Sequence, residues 1–430
     1  MFRKPGEPRI DSRRDPGTGS AGRIHEATEQ RAEPDGFVVF SDDWGGHPSS
    51  CQHIFSRIAA EHRVVWINTV GMRRPRLTRS DLAKAFGKVG RMWHTASAAP
   101  RDERLSNLSA CQPLMLPFSD VALIRKWNAR SVARSLRVNL AARGIERPVV
   151  VATVPNACDA LAELDESPVV YYCVDDLAQW PGLERSLIQE MEAQLVARAD
   201  LLIATSQKLL ERLSASGKPT YLLPHGVDVE LFSAIAAAEH ECLAGIPPPR
   251  AGCFGLFDER NDQDLIEDVA RRLPQVAFVF TGRVEASCSR LTRLSNVHFT
   301  GPVAYRDLPA VIKGLDLLFL AYGRNELTES ISPLKLREYL VTGKPVVSTP
   351  LPETKPFAEW ISLAATAEQW EAAIRLALEG RGQRRQAWVP SGESWADRAE
   401  MMLRICAQAR TSATRSSSID LAPLLGSREG

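Results

Sequence analysis

The chain has 430 residues, 44% of them hydrophobic and 24% charged, a globular composition with length for two domains of roughly 180 residues each. A net charge of +1 excludes a global polyanion-binding field, so attraction to nucleic acid or to an anionic surface would have to come from a local patch. The eight cysteines, at 51, 111, 158, 173, 242, 253, 288 and 406, have neither disulfide nor zinc spacing.

Several of those cysteines stand in apolar runs such as Tyr172-Cys173-Val174 and read as small buried hydrophobes in a reducing cytoplasm. No stretch approaches the roughly 18 uninterrupted apolar residues of a spanning helix, and the N-terminus lacks the apolar core of a signal peptide. The expectation is a cytoplasmic protein, neither exported by that route nor anchored by a span.

Residues 1–34 are rich in Arg, Glu, Gly and Pro without apolar periodicity and read as a disordered extension. Folding is expected to start at Phe37-Val38-Val39-Phe40, a buried-type strand. A loop with Trp44, Gly45, Gly46, His47 and Ser49 follows, then a helix with Ile54, Phe55 and Ile58 on one face, then the strand Val64-Val65-Trp66-Ile67. This is a Rossmann-like opening without a strict G-x-G-x-x-G.

Residues 71–104 differ in character. Arg73, Arg74, Arg76, Arg79, Lys84, Lys88, Arg91, Arg101 and Arg104 stand against three acidic residues, while Leu82, Phe86, Val89 and Trp93 recur at helical spacing. Such a basic amphipathic helix either lies on an anionic membrane surface or packs its apolar stripe on the domain with a solvated basic face. A second basic helix is expected at residues 121–142, with Trp127, Arg130, Arg134 and Arg137.

Strands return at 148–152 and 168–173, and the second delivers Asp175, Asp176 and Trp180 into the loop beyond its carboxyl end. A helix at 184–198, a strand at 201–204 and a helix capped by Thr205-Ser206 lead to Tyr221-Leu222-Leu223-Pro224-His225-Gly226-Val227-Asp228. The pattern then repeats: strands at 251–255, 276–280, 297–299 and 315–320, each ending in a loop, with helices at 265–270 and 308–313. Together these describe an α/β protein with two doubly wound parallel sheets.

The stretch after the strand at 315–320 carries the most chemistry. A helix opening near Ser332-Pro333 would hold Lys335 in its first turn and Glu338 one turn on, beside backbone N–H groups that favour an anion. Nucleoside diphosphates need that combination: a cation for the phosphates and a carboxylate for a ribose diol. The competing reading of Glu338 is an exposed helix carboxylate paired with Lys335 or Arg337.

This stretch, with Gly343-Lys344-Pro345-Val346-Val347 after it, resembles the donor-site signature of GT-B glycosyltransferases of the family 4 type, where Glu-x7-Glu precedes a helix and Gly-x-Pro-Val-Val. Glu338 falls on the second Glu, while the first falls on Ser330, with Glu329 one residue early and a Ser-Pro-Leu-Lys-Leu variant in its place. The resemblance implies a GT-B fold, two Rossmann-like domains facing a central cleft. The acceptor domain would span residues 35–225 and the donor domain 226–393. A helix at 394–410 would return to the first domain, ahead of a disordered tail at 411–430.

The resemblance also implies site residues. Glu338 would hold the ribose, Arg283 with Pro302-Val303 would border the base, and Glu329 or Glu326 would grip the sugar. Where the family has a Gly-Arg loop at the phosphates this chain has Gly255-Leu256; Gly255 would let backbone approach a phosphate and Arg260, by its own position, would neutralise it, the competing reading of Arg260 being a surface arginine paired with Asp262 or Asp264. Asp175 and Asp176 are candidates for the base that an inverting transferase needs, against helix capping and an ion pair; a retaining enzyme would not require them. Trp44, Gly46, His47 and Ser49 would form an acceptor or phosphate loop, with His47 and His53 as further base candidates. No His, Asp or Cys cluster has metal spacing, and no metal or cofactor is expected beyond the UDP- or GDP-linked substrate.

The resulting expectation is a nucleotide-sugar-dependent hexosyltransferase acting on a saccharide or polyprenyl-linked saccharide in polysaccharide synthesis, peripheral at the membrane. It would have no nucleic-acid partner. A nucleotide-sugar 2-epimerase of the same fold and a non-catalytic nucleotide-sugar-binding scaffold are the alternatives.

Overall fold

The computed structural model describes residues 34–46, 49–69, 105–161, 164, 167–234, 236–380, 388 and 390–419, with residues 412–419 described by backbone alone. The N-terminal extension up to residue 33, the basic segment 71–104, His47 and residues 420–430 lie outside the described residues.

The first domain runs β1 (Phe37–Ser41), α1 (Ser50–Ile58), β2 (Val64–Asn68), β3 (Leu108–Cys111), α2 (Ala122–Arg143), β4 (Val149–Ala152), α3 (Cys158–Leu161), β5 (Val169–Cys173), α4 (Arg185–Arg198), β6 (Leu201–Ala204), α5 (Gln207–Ser214) and β7 (Thr220–Leu222). Its strands form one parallel sheet in the order β3-β2-β1-β4-β5-β6-β7. The second domain runs α6 (Val229–Ser233), β8 (Arg250–Phe254), α7 (Gln263–Arg272), β9 (Ala277–Thr281), β10 (Val297–Gly301), α8 (Leu308–Lys313), β11 (Leu317–Leu320), α9 (Glu326–Ser330), α10 (Leu334–Val341), β12 (Val346–Ser348), β13 (Ser362–Leu363) and α11 (Ala367–Leu378). Its parallel order is β10-β9-β8-β11-β12-β13, and α12 (Trp395–Ile419) closes the described chain.

Helices cover both faces of each sheet, so the central strands read as nearly continuous apolar runs rather than alternating; β1, β4, β5 and β6 are buried at every position. Strand order reverses between β1 and β4 and between β8 and β11. At such switch points the flanking loops part and leave a crevice beyond the carboxyl ends.

The chain crosses between domains twice, and the crossings lie side by side. Val227 pairs with Ser394 in a parallel bridge, its N–H donating to the Glu393 carbonyl at 3.0 Å. A Cβ on Gly226 would stand 2.7 Å from the Trp395 ring, so only glycine lets the crossings pack. Helix α12 then lies on α1, with Met402, Ile405, Cys406 and Ala409 in the same core as Ile54, Phe55 and Trp66. It continues past residue 410 to Ile419, where a disordered tail is expected from sequence.

Further contacts bridge the domains. The Ser206 hydroxyl donates to the Ser330 carbonyl at 2.6 Å, and the Gln207 N–H donates to Glu353 Oε1 at 2.8 Å. Lys208 pairs with Glu329 at 3.0 Å and Arg185 with Glu326 at 3.2 Å.

Candidate active site

The carboxyl ends of the two sheets face a cleft of about 660 Å³ whose walls come from both domains. The second-domain wall is built first by glycine. Gly255, after β8, has φ +99°, and Gly282, after β9, has φ +150°. A Cβ on Gly282 would meet the Gly255 carbonyl oxygen at 1.9 Å, so the two loops stack backbone on backbone. Below Gly255 lies Lys335: a Cβ there would approach its Cε and Nζ to 3.2 Å.

Lys335 stands in the first turn of α10, which has Pro333 at its N-cap and no side-chain cap; the Leu336 N–H turns back to the Pro333 carbonyl at 3.1 Å, leaving those of Leu334 and Lys335 for a ligand or solvent. Its ammonium lies 5.7 Å from the Tyr322 ring centroid. Burial and the Arg260 cation oppose the charge while Cys253, Tyr322 and Asp258 favour it, and the balance holds the pKa above that of an ordinary lysine.

Glu338, one turn on, is 4% exposed and accepts a hydrogen bond from the Tyr305 hydroxyl at 2.9 Å. Burial pushes its carboxyl up to about 7, against the pull of Tyr305 and Lys335. Arg337, the other partner open from sequence, pairs instead with Glu393 at 2.6 Å.

Arg260 does line the cleft, but its partner is neither Asp262 nor Asp264. It binds buried Asp258 through Nε and a terminal nitrogen, at 2.9 Å and 2.7 Å. Its guanidinium lies 5.1 Å from the Trp180 ring of the first domain and 5.6 Å from Tyr322 of the second. The cation is thus held at the domain boundary by a carboxylate and two ring faces. Arg283 lines the cleft too, with its carbonyl accepting from the Phe257 N–H at 2.9 Å.

The opposite wall carries Asp175, just beyond β5. Burial pushes its carboxyl up to about 6, with Arg260 pulling against it and Asp258 and Asp176 adding to it. Asp176 is not a lining residue; it occupies the N-cap position of the short 3-10 turn Leu177–Gln179. Gly46 and Ser49 line the cleft, and the Ser49 hydroxyl caps α1 by accepting from the Gln52 N–H. Trp44 is not among the residues that line the cleft: its ring packs edge-on against Trp66 at 4.8 Å, and its backbone N–H donates to Asn68 Oδ1 at 2.9 Å.

Glu329 requires a correction. It ends on the short helix α9, outside the cleft, where its carboxylate is taken by Lys208 at 3.0 Å and Arg324 at 3.7 Å. Helix α9 stops at Ser330 and Ile331 is extended (φ −77°, ψ 136°), so the chain turns before α10 and the residues that reach the cleft are Ile331, Ser332 and Pro333. Glu326, the other sugar-grip candidate, is likewise spent on Arg185 across the domains.

Two lining residues escape a linear reading. Tyr305 follows β10 and carries a hydroxyl that orients Glu338; Gly301-Pro302 at the end of that strand is the signal that locates its loop. His225, in the first crossing, is buried with Nδ1 2.6 Å from the Ser50 hydroxyl. Burial and the Arg337 cation push its pKa down to about 3, so it is neutral. Its place in a Pro-His-Gly turn marked the crossing but not the cleft. Base candidate His53 is stacked on Trp395, with ring centroids 4.6 Å apart. Among the described residues no three His, Cys, Asp or Glu side chains gather as metal ligands would.

Comparison with known proteins places this geometry. Residues 248–389 match the family model of glycosyl transferases group 1. A Bacillus subtilis (strain 168) protein, provisionally named teichuronic acid biosynthesis glycosyltransferase TuaH, is 31% identical over 179 residues, which is 40% of this chain and 45% of that protein. The match thus spans under half of that relative's length. Among solved structures, Anabaena HepE in complex with UDP and glucose aligns over 90% of this chain and 99% of its own, at 15% identity and a TM-score of 0.52. Sucrose-phosphate synthase from Thermosynechococcus elongatus aligns over 90% and 100%, at 13% identity and a TM-score of 0.57. The chain therefore has the GT-B fold, and its second domain is similar in sequence to glycosyl transferases group 1.

Proposed function

We propose that the protein is a glycosyltransferase that moves a sugar from a nucleoside diphosphate sugar to a saccharide or lipid-linked saccharide, in the synthesis of a cell-surface polysaccharide or glycoconjugate. The observation that carries this reading is the pairing of Lys335 and Glu338 at the start of one helix with Asp175 on the opposite wall of the same cleft. The relative named for teichuronic acid biosynthesis, and the solved neighbour holding UDP and glucose, support the substrate class.

In this reading Lys335 and the leading N–H groups of α10 take the diphosphate, and ionised Glu338, aimed by Tyr305, accepts hydrogen bonds from the ribose diol. Gly255 lets the backbone close on the phosphates. The acceptor hydroxyl approaches the anomeric carbon while Asp175 takes its proton. The new carbon–oxygen bond forms as the bond to phosphate breaks, and the nucleoside diphosphate leaves against Lys335. A carboxyl at about 6 is ionised at neutral pH yet basic enough to act. Charge on the leaving group is met by Lys335, Arg260 and the helix, so no resident metal is required. The sugar grip passes from Glu329 to the turn 331–333 and Ser49, which line the cleft where Glu329 does not. No helix among the described residues is long and apolar enough to cross a membrane.

The test is nucleotide release from a panel of UDP- and GDP-sugars, with and without lipid extract and with EDTA. Acceptor-dependent release that survives EDTA is expected. Binding without turnover of any donor would favour the scaffold, and interconversion of one donor without transfer would favour the epimerase.

A further inference from the structure

The first domain carries a surface that the cleft chemistry does not use. From Val121 to Ile145 the sequence has no Asp or Glu, and α2 lies within that span. The helix buries Val132 and Leu136 in the domain core and turns Lys126, Arg130, Arg134 and Arg137 outward. The loop before it folds back on it: Asn128 accepts from the Leu116 N–H at 2.8 Å and donates to the Leu116 carbonyl at 2.9 Å. That clamp holds Leu114, Leu116 and Phe118 out of the core beside the helix, where Leu123 is 78% and Trp127 40% exposed.

Exposed apolar side chains gathered this way mark an interaction surface rather than ordinary scatter. Topology orients it. The loop 112–121 follows the carboxyl end of β3, and in a parallel sheet all carboxyl ends open to one side, which here is the side of the cleft. The apolar group therefore stands at the cleft end of the domain, and the cations trail away from it along α2.

We propose that this face seats on an anionic lipid bilayer, with Leu116, Phe118, Leu123 and Trp127 entering the interface and the α2 cations meeting lipid phosphates. Charge complementarity selects this occupant: a second copy would bring the same row of cations against itself. The seat would open the cleft toward a lipid-anchored acceptor, and only that purpose rests on the proposed function; lipid binding is measured without turnover.

The test is co-sedimentation of the full chain with phosphatidylcholine vesicles, with and without phosphatidylglycerol. Binding to the anionic vesicles alone is expected, weakened by salt. The double variant Leu123→Glu with Trp127→Glu should abolish it. Arg130→Ala with Arg134→Ala should weaken it about thirtyfold, roughly fivefold for each cation, and unchanged circular dichroism would report an intact fold. Equal binding to neutral vesicles, absence of binding, or binding that ignores both double variants would overturn the proposal. So would a change of oligomeric state by light scattering in the Glu variants, which would assign the face to a second copy. Nucleotide release with a water-soluble acceptor reports the proposed function separately.

Discussion

Glu338→Gln should move stability and donor affinity in opposite directions. The carboxyl is buried, and its pKa is raised from 4.5 to about 7. A raised carboxyl pKa means that the folded state holds the proton more tightly than the unfolded state. The fold therefore bears no cost below pH 4.5 and a growing one as pH rises to about 7, reaching about 3 kcal/mol above it. Glutamine keeps an oxygen to accept from the Tyr305 hydroxyl but carries no charge. The variant without ligand should match the wild type in stability near pH 4 and exceed it by a few kcal/mol at pH 8. Donor binding should weaken, since a charge-assisted hydrogen bond to the ribose is lost, by about 2 kcal/mol or roughly thirtyfold in Kd. Urea unfolding across pH, paired with calorimetric titration of UDP and GDP, measures both. A stability difference that does not change with pH, or nucleotide affinity equal to the wild type, would refute the assignment of Glu338.

Asp175→Asn should lower kcat by roughly 10²- to 10⁴-fold while leaving nucleotide affinity nearly unchanged, and the wild-type rate should fall below about pH 6 as that carboxyl protonates; single-turnover rates against pH check both. Glu329→Gln, which removes an exposed ion pair with Lys208, should change donor KM less than about twofold and leave the urea unfolding midpoint where the wild type has it. Glu393→Gln leaves Arg337 and Arg398 buried without their shared carboxylate and should cost about 3 kcal/mol in thermal or urea unfolding.

The long apolar runs were legible because strands covered on both faces need apolar side chains at every position, as in Val149–Ala152 and Val169–Cys173. β3 was not, since Leu-Ser-Ala-Cys at a sheet edge buries only its two ends. β13, two residues long, carries no pattern at all.

In the site, Lys335 and Glu338 were legible together because one helix sets their spacing. Arg260 was found in position but not in its bond, because Asp258, two residues before it, is brought round by a loop rather than by a periodic element. Glu329 was misplaced by counting along the chain where the helix breaks at Ile331, and Tyr305 and His225 reach the cleft only through tertiary packing.

The most direct test of the donor grip is calorimetric titration of UDP and GDP into the wild type and Lys335→Ala. The expected result is binding of one nucleotide by the wild type and its weakening by at least about tenfold in the variant, from loss of a charge-assisted contact to phosphate. Equal affinity in both proteins, or binding of neither nucleotide by the wild type, would contradict it.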